Sequence, residues 1–142
     1  MTPSLFALPI LMVGSEEQKE TYLPPIVEAE WQPHSAALIE QSFDFDPRSL
    51  KTTAALDGEE YVLNGEKSYV PFANQARNMI IYANLDGKTQ GFLLTVDTPG
   101  LEVGGRQKLL GLNALPLYTL TLDSVRLPIS NRTRTSPIPL RF

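Results

Sequence analysis

From Ser35 onward, apolar positions fall into short runs separated by turn-forming pairs. The runs are "LKTTAAL" (50–56), "EYVL" (60–63), "EKSYV" (66–70), "NMIIYAN" (78–84), "GFLLTVD" (91–97), "LEV" (101–103) and the longer "LYTLTLDSVRL" (117–127). Among them stand Asp57-Gly58, Asn64-Gly65, Asp86-Gly87 and Pro99-Gly100. Runs of this length, rich in β-branched and aromatic residues and punctuated by such pairs, predict an antiparallel meander. Six or more strands with few helices predict a small barrel or two packed sheets. The expected fold class is therefore mainly β, an antiparallel β-barrel preceded by a short helical segment.

One stretch within this pattern is unusual. In "YVLNGEKSYVPFAN" (61–74), Tyr61 and Leu63 run into Asn64-Gly65, the pair best suited to the two positive φ angles of a type I′ turn, so a return strand is expected from Glu66. That strand carries Tyr69 and then meets Pro71, which has no N–H for a ladder, beside Phe72. Pattern alone reads this aromatic-Pro-aromatic corner as the closed end of a barrel, with Pro71 shielding an edge strand from pairing. An early strand end also leaves backbone groups outside the ladder, expected to be free.

The N-terminal part follows another period. "MTPSLFALPILMVG" is apolar, but it is shorter than the roughly 20 residues of a spanning helix, contains Pro9 and has no basic residue before it, as a signal peptide would. It reads as a buried helix segment that packs on the domain itself or on chain upstream. Ser15 then caps a second helix, Gln18 completes a capping box three residues on, and Glu16 and Glu17 complement the positive end of the helix dipole. Leu23-Pro24-Pro25 is expected to end or jog that helix. The β pattern takes over after Trp31.

Composition narrows the possibilities. At 142 residues, with 42% hydrophobic and 20% charged, the chain suits one soluble domain that buries roughly two thirds of its unfolded surface. Its 12 basic and 16 acidic residues give a net charge of −4 without a Lys/Arg cluster, which disfavours nucleic acid as a partner. The absence of cysteine excludes disulfides and thiolate metal sites and fits a reducing compartment, the cytoplasm. The single histidine, His34, cannot form a histidine metal cluster.

Pattern alone supplies no nucleophile, base or phosphate loop. Gly104-Gly105 and Gly111 lack the strand-glycine-helix setting of a dinucleotide fingerprint. Glu40, Asp44 and Asp46 are close enough in sequence to bind a cation, but such clusters are more often solvated loops.

The succession "GSEEQKETYLPPIVEAE", "ALIE", "SLKTTAALDGEEYVLNGEKSYV", "DTPGLEV" and "LLGLNALPLYTLTLDSVRLP" resembles the acyl-CoA dehydrogenase family over nearly the whole chain. The resemblance implies that residues 1–34 end an N-terminal helical domain, that 35–130 form the middle β-barrel domain, and that 131–142 are an unassigned tail. It implies FAD as cofactor and an acyl-CoA as substrate. Family members lay a tryptophan and a threonine against the isoalloxazine, and these fall on Tyr69 and Pro71. Tyr69, Val70 and Pro71 are thus the expected flavin-lining residues, with Ile39 and Phe45 facing flavin or acyl-CoA.

This chain departs from the family pattern where contact is expected. Residues 37–46 read "ALIEQSFDFD" where the family typically reads A-L-T-E-P-G-A-G-S-D. Ile39 stands for a flavin-bonding threonine, Phe45 for a serine, and Ser42 and Asp44 for glycines; Asn113 stands where arginine is common. Glu40 keeps the pattern. Losing two or three hydrogen bonds of roughly 0.5–1.5 kcal/mol each need not abolish binding where apolar contact replaces them. The family's catalytic base comes from a C-terminal helical domain that this sequence does not include, so no Glu or Asp is assigned as base and the segment alone is expected to be inactive. Its expected partners are the missing helical domains and, by the family's habit, further copies in a homo-oligomer. The alternative is a noncatalytic β-barrel binding or structural module that has lost its flavin.

Overall fold

The computed structural model describes residues 2–27, 34–42, 45–108 and 116–133. Two helices, α1 (Thr2–Val13) and α2 (Glu16–Val27), precede seven strands: β1 (His34–Ala37), β2 (Thr53–Asp57), β3 (Glu60–Pro71), β4 (Asn78–Leu85), β5 (Lys88–Thr95), β6 (Leu101–Arg106) and β7 (Leu117–Pro128). A 3₁₀ turn, Ile129–Asn131, follows. Among the described residues no helix is long and apolar enough to cross a membrane.

The capping box forms as the sequence predicts. The Gln18 amide donates to Ser15 Oγ (3.1 Å), and the Ser15 amide donates to Gln18 Oε1 (3.0 Å). Gln18 Nε2 also donates to the carbonyls of Ser130 (2.8 Å) and Arg132 (3.1 Å), tying the helical segment to the far end of the chain. Helix α2 runs on to Val27, beyond the prolines expected to end or jog it. Pro24 and Pro25 fall in its last turn. Helix α1 is only half buried: Phe6, Ile10 and Val13, at helical spacing, face the sheet, whereas Leu8, Leu11 and Met12 are more than half exposed. Fully burying Phe6 and Ile10 contributes about 2 kcal/mol each in transfer terms.

The strands form one curled sheet in the order β1-β4-β2-β3-β7-β6, with β5 paired to β4. The expected antiparallel barrel is thus partly mixed, because β1 and the start of β2 both run parallel to β4. The chain after β7 laces the curl onto β5: the Thr133 amide donates to the Gly91 carbonyl (3.0 Å) and Asn131 Nδ2 to the Leu93 carbonyl (2.8 Å). Strand β4 is apolar on both faces, and both are covered. Met79, Ile81, Ala83 and Leu85 fill the inside of the curl with Leu63, Val70, Leu120 and Val125. Ile80 and Tyr82 turn outward to Phe6, Ile10 and Leu93 beneath the helices.

Two of the four turn pairs close hairpins. Asp86 (φ 52°) and Gly87 (φ 83°) join β4 to β5 with two positive φ angles, and Asp57-Gly58 joins β2 to β3. Asn64-Gly65 does not form the expected turn. Strand β3 runs straight through it, because β7 pairs with both halves: Leu63 lies opposite Val125, and Gly65 opposite Leu122. One residue of β3, Asn64, therefore faces two of β7, Asp123 and Ser124, and the extra residue makes a bulge on β7, where Ser124 takes φ 51°. There Asn64 Oδ1 accepts the Ser124 amide (2.8 Å), while Gly65 adopts φ 148° against Thr52.

His34 opens β1 at the join between helices and sheet. Its ring stacks on Phe6 (centroids 4.6 Å apart, 14° between planes), and neither ring nitrogen has a hydrogen-bond partner. Burial, and then the charge of Arg77, pull its pKa below the ordinary value, so the ring is neutral at pH 7.

Two stability measurements test this description. A Cβ on Gly65 would lie 2.7 Å from Thr52 Cα, which cannot swing aside, so Gly65→Ala costs about 2 kcal/mol or more in denaturant unfolding. Gly87→Ala, with φ 83° but open space around it, costs only about 1 kcal/mol; equal costs would show that Thr52 does not pack on Gly65. For His34, the unfolded chain takes up a proton at higher pH than the folded one, so its contribution to stability falls as pH drops through 6.5. The stability difference between the wild type and His34→Leu should shrink or reverse from pH 7 to pH 5, and a constant difference would refute the buried neutral ring.

Candidate functional site

The corner at the end of β3 is built by a second bulge. Lys67 and Ser68 are both buried, so alternation fails there, and the β3–β7 register shifts between Lys67 and Val70. Tyr69 sits inside the shift at φ 55°, and Phe72 follows the strand at φ 52°. Left-handed backbone in two aromatic residues costs on the order of 1–3 kcal/mol each and needs outside support.

Neighbouring segments supply it. The Tyr69 amide donates to Gln107 Oε1 (2.7 Å), and the Phe72 amide to the Pro116 carbonyl (2.9 Å). Ser35 Oγ, buried in β1, donates to the Pro71 carbonyl (2.5 Å). The Ser68 amide donates to the Ile39 carbonyl (2.8 Å). The backbone groups expected to be free at this early strand end are thus largely occupied. What the corner leaves partly open is half-buried Tyr69 and, on the segment bonded to neighbouring Ser68, Ile39, an isoleucine 40% exposed.

Beneath it lies a buried ion pair. Lys67, 0% exposed, places Nζ 3.2 Å from Glu40 Oε2 and donates to the Leu38 carbonyl at 3.2 Å. Glu40 Oε1 accepts the Lys51 amide (2.7 Å), and Oε2 accepts the Thr52 amide (2.7 Å) and hydroxyl (2.5 Å). Desolvation alone would raise the Glu40 pKa. The Thr52 hydroxyl, the two amides and the Lys67 charge outweigh it and hold the carboxyl below its ordinary value. For Lys67 desolvation wins over the attraction of Glu40, and its pKa falls to about 8.

Glu40 is therefore no member of a solvated acidic loop. Asp46 is exposed and accepts the Arg48 amide (2.9 Å), while Asp44 and Asn113 lie outside the described residues. Among those residues no group of three or more His, Asp or Glu side chains is placed to hold a metal.

Of the five residues singled out from sequence, Ile39, Tyr69, Val70 and Pro71 gather at the corner. Val70 and Pro71 point their side chains into protein, with Val70 in the core inside the curl, so Val70 meets a ligand only through its backbone. Phe45 packs instead on the helix-side cluster. Sequence reasoning missed Ser35, Thr52, Lys67 and Gln107. Only Lys67 carried a signal, as a lysine in an inward phase of a strand.

Comparison with known proteins places the chain among acyl-CoA dehydrogenases and proteins similar to them. A model of the acyl-CoA dehydrogenase middle domain matches residues 35–125. A probable acyl-CoA dehydrogenase of Bacillus subtilis is 37% identical over 128 residues, which are 88% of this chain and 21% of that protein. The crystal structure of a glutaryl-CoA dehydrogenase from Mycobacterium smegmatis in complex with FADH2 superposes with a TM-score of 0.82 at 33% identity, covering 92% of this chain and 34% of that one. A prolyl acyl carrier protein oxidase gives a TM-score of 0.82 at 35% identity, covering 92% of this chain and 35% of the other. Against the first curated relatives the chain spans only 21% to 35% of their length.

The lowered Lys67 pKa sets a pH dependence. Between about pH 8 and 10.5 the unfolded chain keeps a proton that the folded one has released, so this group's contribution to stability rises with pH across that window. Relative to Lys67→Met, the wild type should gain about 3 kcal/mol from pH 7.5 to pH 10.5. Glu40 acts at the acid end: its contribution is present above 4.5 and is lost as pH falls through its depressed folded value. A pH-independent difference between wild type and Lys67→Met would show that the lysine is not buried as an ion.

Proposed function

Because the chain belongs to the acyl-CoA dehydrogenase family, through that family's middle domain, we propose that it supplies one wall of a site for FAD and an acyl-CoA thioester, serving α,β-dehydrogenation in a longer parent protein. The observation that carries this reading is the corner itself. A half-buried tyrosine in a strained backbone follows Ser68, whose amide holds the carbonyl of the exposed Ile39, so two partly open apolar side chains stand on bonded segments and make an apolar ledge. It fits a flavin ring, which is flat and mostly apolar on its faces.

When bound, FAD supplies a hydride acceptor. The residues of this chain do the holding. Tyr69 and Ile39 offer apolar contact to the ring and exclude water on that side, while Ser35, Gln107 and Pro116 keep the ledge in shape. Val70 and Pro71 contribute through the backbone path they impose, and Phe45 packs with Leu38 on the helix side. Glu40 cannot serve as the base that takes the substrate's α proton: its oxygens accept three short hydrogen bonds and pair with Lys67, and its pKa is held down. In this reading the base belongs to a helical domain outside this chain. Residues 1–34 end the preceding helical domain, 35–130 are the middle domain, and the parent is a cytoplasmic homo-oligomer.

One observation favours the second reading, a module that has lost its flavin. Pro71 has no N–H and its carbonyl is taken by Ser35, so the corner offers few polar contacts to ring heteroatoms.

Titration of FAD into the purified chain, followed by flavin fluorescence, separates the two. Saturable binding weakened about tenfold by Tyr69→Ala, equivalent to about 1.4 kcal/mol, is the expected result. If the wild type fails to bind, the same titration is repeated on a chain extended through its native flanks. Failure of that longer chain as well would establish the noncatalytic module.

A further inference from the structure

We propose that the Glu40–Lys67 ion pair is a positioning device for the Tyr69 corner, clamping residues 38–40, the start of β2 and the β3 bulge into one rigid unit. For its functional consequence the proposal rests on the flavin-wall reading above; the clamp itself does not.

The geometry is specific. Lys67 lies immediately before the bulge that throws Tyr69 to φ 55°. Its ammonium reaches both the Leu38 carbonyl and the Glu40 carboxylate, so the residues on either side of Ile39 are turned toward the lysine. Leu38 packs on the helix-side cluster, Glu40 is 7% exposed, and Ile39 between them is left 40% exposed. The Ile39 carbonyl then accepts the Ser68 amide, one residue before Tyr69. Each bond in this circuit fixes the backbone of Ile39 relative to that of Tyr69.

Net stability does not account for the pair. Desolvating two charges offsets most of their attraction, and well-packed apolar residues usually do as well. What an apolar pair lacks is direction. The carboxylate accepts donors from Lys51, Thr52 and Lys67 at once, and these lie beyond the last β2–β3 ladder pair, Thr53 with Asn64. Truncating one partner strands a buried charge, whereas replacing both removes the clamp without leaving one.

The test is therefore the double replacement Glu40→Gln/Lys67→Met, beside the two single variants. Melting temperature, hydrogen exchange resolved at Ser68 and Tyr69, and FAD titration are read on each. In the double variant we expect most of the melting temperature lost in the single variants to return. Its Ser68 and Tyr69 amides should still exchange at least tenfold faster than wild type, with β4–β5 amides unchanged, and FAD should bind at least tenfold more weakly.

Corner exchange that recovers together with the melting temperature overturns the positioning role and leaves the flavin reading standing. Faster corner exchange in a protein whose wild type binds no FAD, alone or with its flanks, supports the clamp and overturns the flavin reading. Should the double variant not fold, Thr52→Val takes its place, because it deletes one donor to Glu40 without stranding a charge. A few-fold acceleration at the same two amides, at unchanged melting temperature, carries the same meaning, and its absence overturns the proposal.

Discussion

An ammonium group with no exposed surface is tolerable only where fixed dipoles and an opposite charge stand in for water. Lys67 meets that condition with the Leu38 carbonyl and Glu40, and Glu40 in turn needs the amides of Lys51 and Thr52 and the Thr52 hydroxyl. These demands draw three segments distant in sequence to one point. Thr52 serves twice, because its other side meets Gly65 so closely that no Cβ fits there. The two register shifts between β3 and β7, one from the β7 bulge opposite Asn64 and one from the β3 bulge at Ser68-Tyr69, thus flank the same buried pair.

Around that point the sheet curls through simple burial. Strand β4 is apolar on both faces, so one face needs the inside of the curl and the other needs helices. The helices meet this need with one face of α1, anchored by Phe6 and Ile10, and with Tyr22 and Leu23 of α2 packed against it, the junction being fixed by Gln18. That glutamine caps its own helix and grips the carbonyls of Ser130 and Arg132. The same terminal segment laces β5 into the curl, and the Arg132 guanidinium lies over the Tyr61 ring, 5.6 Å from its centroid. One polar side chain therefore couples the helical layer to closure of the sheet.

What was legible in the sequence was local. The capping box and the Asp86-Gly87 turn depend on residues a few positions apart, and both are as expected. Asn64-Gly65 misled because the pair also fits a strand that runs on past a bulge in its neighbour, and β7, some 60 positions away, decides between them. Strand β1, "HSAA", carries no β signal of its own and exists because β4 pairs with it in parallel. The corner was visible as an oddity at Tyr69-Val70-Pro71-Phe72. Its shape was not, since the acceptor for the Tyr69 amide lies 38 residues on, at Gln107.

The occupied backbone at the corner bears on how a flavin would be held. Tyr69 and Phe72 remain left-handed because Gln107 and Pro116 accept their amides, and those amides are then unavailable to a ligand. Pro71 adds no donor, and Ile39 brings a methyl surface where the family commonly has a hydroxyl. All these features shift recognition the same way, from hydrogen bonds toward stacking and apolar contact on a preshaped ledge. Such a surface gains from rigidity, because an apolar contact has no directional bond to correct a misplaced ring, and ordering a loose ledge on binding subtracts from affinity. A buried ion pair of little net stabilising value is well suited to that demand, since what it supplies is fixed geometry.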